Sequence, residues 1–351
     1  MDPVKKLAQR KAQATAKHLK QFNMKEVASS RGESAYVWEE KDSYRAFVME
    51  GLGTKNLVAD AMQQITGKSY YRNIAQDTVA TIVNDLIVVG AAPLVVNAYF
   101  AVGDSNWFAN KQRSKDLVEG FADACDLAGS VWGGGETPTL KGIINPETID
   151  LGGSAIGIIK PKSRLVLGDQ LTDGDAIIFV ESSGIHTNGL TLARTIATKL
   201  AKGFATLLSD GTPFGEALLT QSYIYAKLVQ ALFEKNVDIH YMVHVTGHGL
   251  RKLMRATKPF TYEIKEIPNP QPVFEFIQKQ SENSDEEMYG NFNMGVGFAI
   301  YTPIKHVKTV LSIAKQHKLN AWHAGFVKKG PKQVVIKQKN IVFEGKSLEV
   351  R

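Results

Sequence analysis

The chain has 351 residues with a formal charge of +7, 44% hydrophobic and 22% charged residues, 30 Gly, 12 Pro and one Cys. Those proportions exclude disorder, collagen and coiled coil, and a single Cys125 excludes a disulfide framework or a Cys-rich metal site. The length predicts two domains at roughly 150 residues each, while a pI of about 9.2 raises nucleic acid or an anionic membrane as a partner.

Taken in chain order, the charge argues against both partners. Residues 1–25 carry seven basic side chains against Asp2, and 328–351 carry seven against Glu344 and Glu349, so the body between is net −4. A nucleic-acid face carries its basic stripe on the folded body, interleaved with aromatics. Val4, Leu7, Ala8, Ala12, Leu19 and Phe22 predict an amphipathic surface helix in the first segment. It is acid-poor but short of Arg and Ser, and no apolar signal region is present, so the cytoplasm is the expected location. A strand over 44–49 runs into the Gly-rich turn 50–55, followed by a helix over 78–89 and a strand over 94–102. The apolar run 86–102 is broken by Gly90 and Pro93 and is shorter than the ~20 residues of a membrane span. A helix over 114–128 ends at Gly129, a second Gly run follows Trp132, and 151–159 reads as a Gly-rich strand.

Around 161–175 the chain turns polar, the best domain boundary. The second half predicts strands at 176–180, 293–301 and 321–327 and helices at 190–202, 215–236, 246–257 and 305–317. Alternation over 333–349 suggests a terminal hairpin. Strands and helices alternate throughout, giving an α/β (α+β) chain with a basic segment 1–30, an N-terminal domain 31–165 and a C-terminal α/β domain 166–351.

Familiar nucleotide loops are missing. Gly67-Lys68-Ser69 lacks the first Gly of a Walker loop, and Gly51-Leu52-Gly53 lacks the third Gly of a dinucleotide fingerprint. Four other polar turns remain: MEGLGTK (49–55), VNDL (83–86), GGGET (133–137) and SSGIHTNG (182–189). Glycine lets backbone N–H groups approach an anion, and Thr54 and Lys55 add donors. Glu50, Asp77, Asp85 and Glu136 are carboxylates in apolar or Gly-rich settings, suited to Mg²⁺ carried on phosphates.

With these motifs in this order, the chain resembles the aminoimidazole ribonucleotide synthetases (phosphoribosylformylglycinamidine cyclo-ligases) from about residue 44 to 327. The family's D-G-V-G-T-K corresponds to 50–55, its V-N-D-L to 83–86, its G-G-E-T to 134–137 and its S-S-G-x-H-S-N-G to 182–189. Its H-x-T-G-G-G is similar to 244–249, and its E-M-Y-x-x-F-N-x-G-V-G to 287–297. The resemblance implies a two-domain, ATP-binding homodimer whose N-terminal domains build a shared β-barrel. It implies ATP-dependent phosphorylation of the amide oxygen of formylglycinamidine ribonucleotide, then ring closure by an internal nitrogen. It further implies that Glu50, Asp77, Asp85 and Glu136 carry Mg²⁺ and ATP, and that Gly51, Gly53, Thr54 and Lys55 hold phosphates, with Asn84, Gly134 and Gly135 beside them. Ser182, Ser183, Gly184, His186 and Asn188 would orient substrate near Thr246 and Gly247, with Lys55, His186 and Asp85 in the chemistry. No nucleic acid or membrane enters this picture.

The sequence departs from the family in Glu50 for Asp, Pro138–Gly142 for A-E-M-P-G, Thr220–Tyr225 for A-P-T-R-I-Y, and His248 for Gly. ASSRGESAY (28–36) replaces a Gly-rich segment. These changes fall mainly on the substrate side. They leave open a relative that uses ATP on another amide, carboxylate or phosphate acceptor.

Overall fold

The computed structural model describes residues 3–348. Helix α1 (Pro3–Thr15) and a 3₁₀ turn precede a six-stranded sheet built from β1 (Lys25–Glu26), β2 (Tyr36–Glu39), β3 (Tyr44–Gly51), β4 (Ala92–Val102), β5 (Val131–Glu136) and β6 (Ile149–Ile159). Its order is β1-β2-β3-β6-β4-β5, with only the β4–β5 pair parallel. Helices α2 (Lys55–Thr66), α3 (Tyr71–Ile87) and α4 (Lys111–Ala128) belong to the same half.

Local chemistry places these ends. Gly67 closes α2 in the left-handed region at φ 72° and returns its N–H to the Gln63 carbonyl; Asn110 caps α4 by accepting from the Arg113 N–H. Ala46, Val48, Val96 and Ala155 point inward, and α3 lies against that face. At Gly153 a Cβ would stand 3.0 Å from Ile82 Cδ1 and 2.2 Å from the Asn97 carbonyl oxygen, so the residue must be small for α3 to lie this close. Helix α3 is buried on nearly every side, including Asp77, Asn84 and Asp85, because α4 packs along it and the second half of the chain covers the face that carries Asp77 and Asn84.

That half holds β7 (Ala176–Glu181), α5 (Leu190–Lys199), α6 (Phe214–Leu218), α7 (Ala226–Glu234), β8 (Tyr241–His244), β9 (Phe260–Ile264), α8 (Pro272–Ser281), α9 (Asp285–Asn291), β10 (Val296–Thr302), α10 (Val307–Gln316), β11 (Ala321–Lys329), β12 (Gln333–Ile336) and β13 (Ile341–Glu344). Its sheet runs β13-β12-β9-β11-β7-β10-β8, antiparallel except between β9 and β12. Strands β7 and β10 are buried along almost their whole length, which is why both read as continuous apolar runs. The terminal hairpin forms as β12–β13.

Three expectations change. The helix expected over 215–236 is two helices split by the non-helical segment 219–225, and the one expected over 246–257 is a 3₁₀ turn, Gly249–Met254. The basic N-terminal helix forms, but Val4 and Leu7 stay 69% and 51% exposed, so its apolar side is not buried.

Candidate active site between the two domains

Strand β3 delivers Glu50 and Gly51 to the domain boundary, and the turn through Gly53 (φ 79°) starts α2 at Lys55. Beginning the helix there turns Lys55 inward. Its ammonium is fully buried, 2.7 Å from Asp77 Oδ2, and donates to the Thr220 carbonyl at 2.8 Å. Burial pushes Lys55 down and Asp77 up, each toward its neutral form, and the partner's charge opposes both shifts. Asp77 Oδ1 accepts from the Ser222 N–H and hydroxyl at 2.8 and 2.5 Å.

Asp77 is one of four α3 side chains that grip the segment 219–225. Asn73 donates to the Leu219 carbonyl and Gln76 to the Ser222 carbonyl, both at 2.9 Å. Asn84 donates to the Tyr223 carbonyl at 2.8 Å and accepts from the Tyr225 N–H at 3.0 Å. Residues 73, 76/77 and 84 repeat at helical spacing, so they line one face and satisfy backbone groups that helix formation would otherwise claim. This contact is the physical reason the expected helix is interrupted.

A second cluster lies around Asp85. His244, at the end of β8, places Nδ1 2.7 Å from Asp85 Oδ1. Burial alone would raise the Asp85 carboxyl, but Lys252, His244 and Arg255 outweigh it and hold the group below the ordinary range. Its neighbour Glu50 responds in the opposite sense, pushed up to about 7 by burial and by the Asp85 charge. Arg255 holds the 32–34 segment by donating to the Gly32 carbonyl and the Ser34 hydroxyl, and Tyr241 donates to Glu33 at 2.9 Å.

The loop after β7 completes the site. Ser182 donates to Asn293 at 3.0 Å, and Asn293 donates to the Gly184 carbonyl at 2.9 Å. Ser183 donates to the Gln221 carbonyl, and Thr81 of α3 bonds Thr187 at 3.1 Å. His186 is buried with φ 57°; Nε2 accepts from the Ser183 N–H, while buried Nδ1 has no hydrogen-bond partner. Burial first, then His244 and Lys55, push its imidazole well below the usual histidine range. Asn188 backs onto Gly247, where a Cβ would meet its Oδ1 at 2.8 Å, and Thr246 accepts a hydrogen bond from Lys252.

The expected metal set therefore does not assemble as one cluster. Among the described residues no three His, Cys, Asp or Glu side chains come together to hold a metal. Asp77 is committed to Lys55 and Ser222, and Lys55 is tied to Asp77 and Thr220, away from the Gly-turn surface where phosphate was expected. Gly134, Gly135 and Glu136 lie exposed on β5. Gly135 pairs with Ala98, Ala98 with Gly153 and Gly153 with Glu50, so this run shares a transverse row with Glu50 but sits three strands away, about 14 Å. Only Glu50 and Asp85 meet. Two carboxylates plus phosphate oxygens do suit Mg²⁺, which keeps waters and seldom uses an all-protein cage. His244, Lys252, Arg255, Glu33 and Asn293 were not singled out from the sequence. His244 and Asn293 stood inside matched motifs, whereas Lys252, Arg255 and Glu33 carry no local signal.

Fold and site together define a two-domain mixed α/β protein whose ionisable groups converge where the two halves meet. The chain belongs to the AIR synthase related proteins: the pattern of their N-terminal domain matches residues 32–159 and that of their C-terminal domain residues 172–338. It is 35% identical over 289 residues to the phosphoribosylformylglycinamidine cyclo-ligase of Methanocaldococcus jannaschii, covering 82% of this chain and 79% of that one. It is 36% identical over 296 residues to the enzyme of the same name from Carboxydothermus hydrogenoformans, covering 82% of each. Among solved structures, E. coli HypE, a hydrogenase maturation protein, superposes with a TM-score of 0.59 at 15% identity over 88% of this chain and 86% of its own. T. maritima PurL complexed with FGAR gives 0.59 at 16% identity over 88% of this chain and 46% of the larger PurL chain. At that identity the two structures establish the fold alone.

Proposed function

We propose that the chain is a phosphoribosylformylglycinamidine cyclo-ligase, closing formylglycinamidine ribonucleotide to aminoimidazole ribonucleotide with ATP. The observation that carries this reading is identity of 33–36% to relatives of that name over more than four-fifths of the chain. The chemistry is an activation. The amide oxygen takes the γ-phosphoryl group, ADP leaves, an internal nitrogen attacks the activated carbon, and phosphate departs in place of a poor leaving group. Glu50 and Asp85 are the residues that would hold Mg²⁺, which supplies charge neutralisation at the transferring phosphoryl group.

The chain's own groups fit such a task. His186, its imidazole pushed toward the neutral form by burial, has an unmatched buried Nδ1 suited to bonding a substrate or passing a proton. The SSGIHTNG loop is braced by Asn293 and Thr81, which supports a rigid frame from which His186 and Asn188 would meet the substrate. Lys55 acts from behind: with Asp77 it locks 219–225 against α3 and fixes the floor of the site. A cavity of about 810 Å³ lined by Arg31, Glu33, Phe47 and Met49 lies one residue before Glu50 and is large enough for a nucleotide. The exposed apolar side of the six-stranded sheet supports a homodimer closed through that face. No helix among the described residues is long and apolar enough to cross a membrane.

The test is turnover. Purified protein with Mg–ATP and formylglycinamidine ribonucleotide should form aminoimidazole ribonucleotide, detected colorimetrically, and hydrolyse ATP only when that substrate is present. Mg–ATP binding without turnover of this substrate would assign the chain to another acceptor.

A further inference from the structure

The segment joining β1 to β2 is tied at its base by its own domain and at its tip by the other. At the base, the Ser30 hydroxyl donates to the Val27 carbonyl at 2.7 Å and accepts from the Val37 N–H at 2.9 Å. Arg31 pairs with Glu26 and lies over the Tyr36 ring, 5.2 Å from its centroid. Gly32, at φ 90°, permits the turn whose tip reaches the second domain. There Arg255, the residue after the 3₁₀ turn Gly249–Met254, meets the tip with two N–H groups of its guanidinium. Nε donates to the Gly32 carbonyl at 2.9 Å and Nη1 to Ser34 Oγ at 2.8 Å. Glu33 between them accepts from the Tyr241 hydroxyl at 2.9 Å and stands 3.8 Å from Arg255 Nε, its side chain only 3% exposed. Gly32, Glu33 and Ser34 also line the cavity of about 810 Å³, together with Val48 and Met49 of β3.

We propose that Arg255 is a positioning residue for nucleotide binding: it holds the Gly32–Ser34 turn as a preformed wall of that cavity, so the nucleotide enters a pocket already built. The proposal rests on the ATP-dependent reading above, in which this cavity takes the nucleotide. A planar guanidinium reaches a carbonyl and a hydroxyl two residues apart at once and gives up little freedom in doing so. A short polar turn containing glycine opens locally at small cost when such bonds are absent. Each arriving nucleotide would then have to order the turn, and that ordering would be lost from its affinity. Because Ser30 and Arg31 hold the base independently, removing Arg255 should free the tip and leave the sheet intact.

The experiment is amide hydrogen exchange read by mass spectrometry on the full chain, first without and then with Mg–ATP. The reporter is the peptide spanning 30–35, where the Glu33 N–H bonds the Ser30 carbonyl at 2.9 Å. Without nucleotide, Arg255→Gln should exchange there about tenfold or more faster than wild type, while peptides from β7 and β10 stay unchanged. Calorimetric titration should show Mg–ATP binding the variant about tenfold or more weakly. Saturating Mg–ATP should restore the variant's protection and add little to wild type, a response that a purely structural role would not give. Arg255→Lys keeps the charge but not the two-pronged donation, so it should lose most of the same protection and affinity. Wild-type exchange over 30–35 in a folded Arg255→Gln overturns the proposal, as does a Lys variant that matches wild type in both readouts. Lost protection with unchanged Mg–ATP affinity also overturns it. A wild type that binds no Mg–ATP would instead remove the ATP-dependent reading, while the nucleotide-free exchange still decides whether Arg255 builds the wall.

Discussion

Asp77 shows how a residue's neighbours decide its role. Read alone, an aspartate two helical turns before Asn84–Asp85 is a plausible cation ligand. In the fold it faces a fully buried ammonium and two donors from Ser222, and those three contacts engage its carboxylate within the protein. Breaking a buried pair from one side leaves an uncompensated charge. Asp77→Ala should therefore destabilise the protein by about 3–5 kcal/mol in urea unfolding. The double variant Lys55→Met/Asp77→Leu removes both charges and should regain more than half of that loss. Equal unfolding midpoints for Asp77→Ala and wild type would show that the ion pair contributes nothing to stability. Glu50 and Asp85 could be named from the motif, yet their unequal carboxyls follow from burial, from the Asp85 charge acting on Glu50, and from Lys252, His244 and Arg255 acting on Asp85, all set by contacts between distant parts of the sequence.

At the scale of elements, legibility followed how local the cause is. Helix α4 is readable because its apolar face and its caps Asn110 and Gly129 belong to one stretch. Strand β7 is readable because burial on both faces leaves an uninterrupted apolar run. The segment 219–225 is not, since its backbone is held by Asn73, Gln76, Asp77 and Asn84, about 140 residues upstream. Asn84→Ala would remove a donor and an acceptor from two buried backbone groups, at a cost of about 2–4 kcal/mol. Limited proteolysis should then cut within 219–225 at a rate the wild type does not show. A cleavage pattern identical to wild type would mean that the segment is held by packing and not by these bonds.

On one side of the six-stranded sheet, apolar side chains remain open to solvent. Phe47, Ile156 and Val95 form one transverse row, and Phe47 and Met49 are 42% and 72% exposed. An apolar sheet face of this kind is costly in water and suits a second copy of the chain. Phe47→Asp combined with Met49→Asp should convert a dimer to a monomer in light scattering while circular dichroism stays unchanged; a wild-type monomer would refute the dimer outright. By itself the sequence determined the two-domain α/β order, the family and the motif positions, because apolar periodicity, caps and Gly-rich turns act over a few residues. It also moved the excess positive charge to the two ends, so a pI of about 9.2 does not choose the partner. Only the tertiary structure decided which carboxylates meet and that Lys55 is committed to Asp77 and the Thr220 carbonyl. Burial and distance set charge interactions, and both come from contacts between residues far apart in the chain.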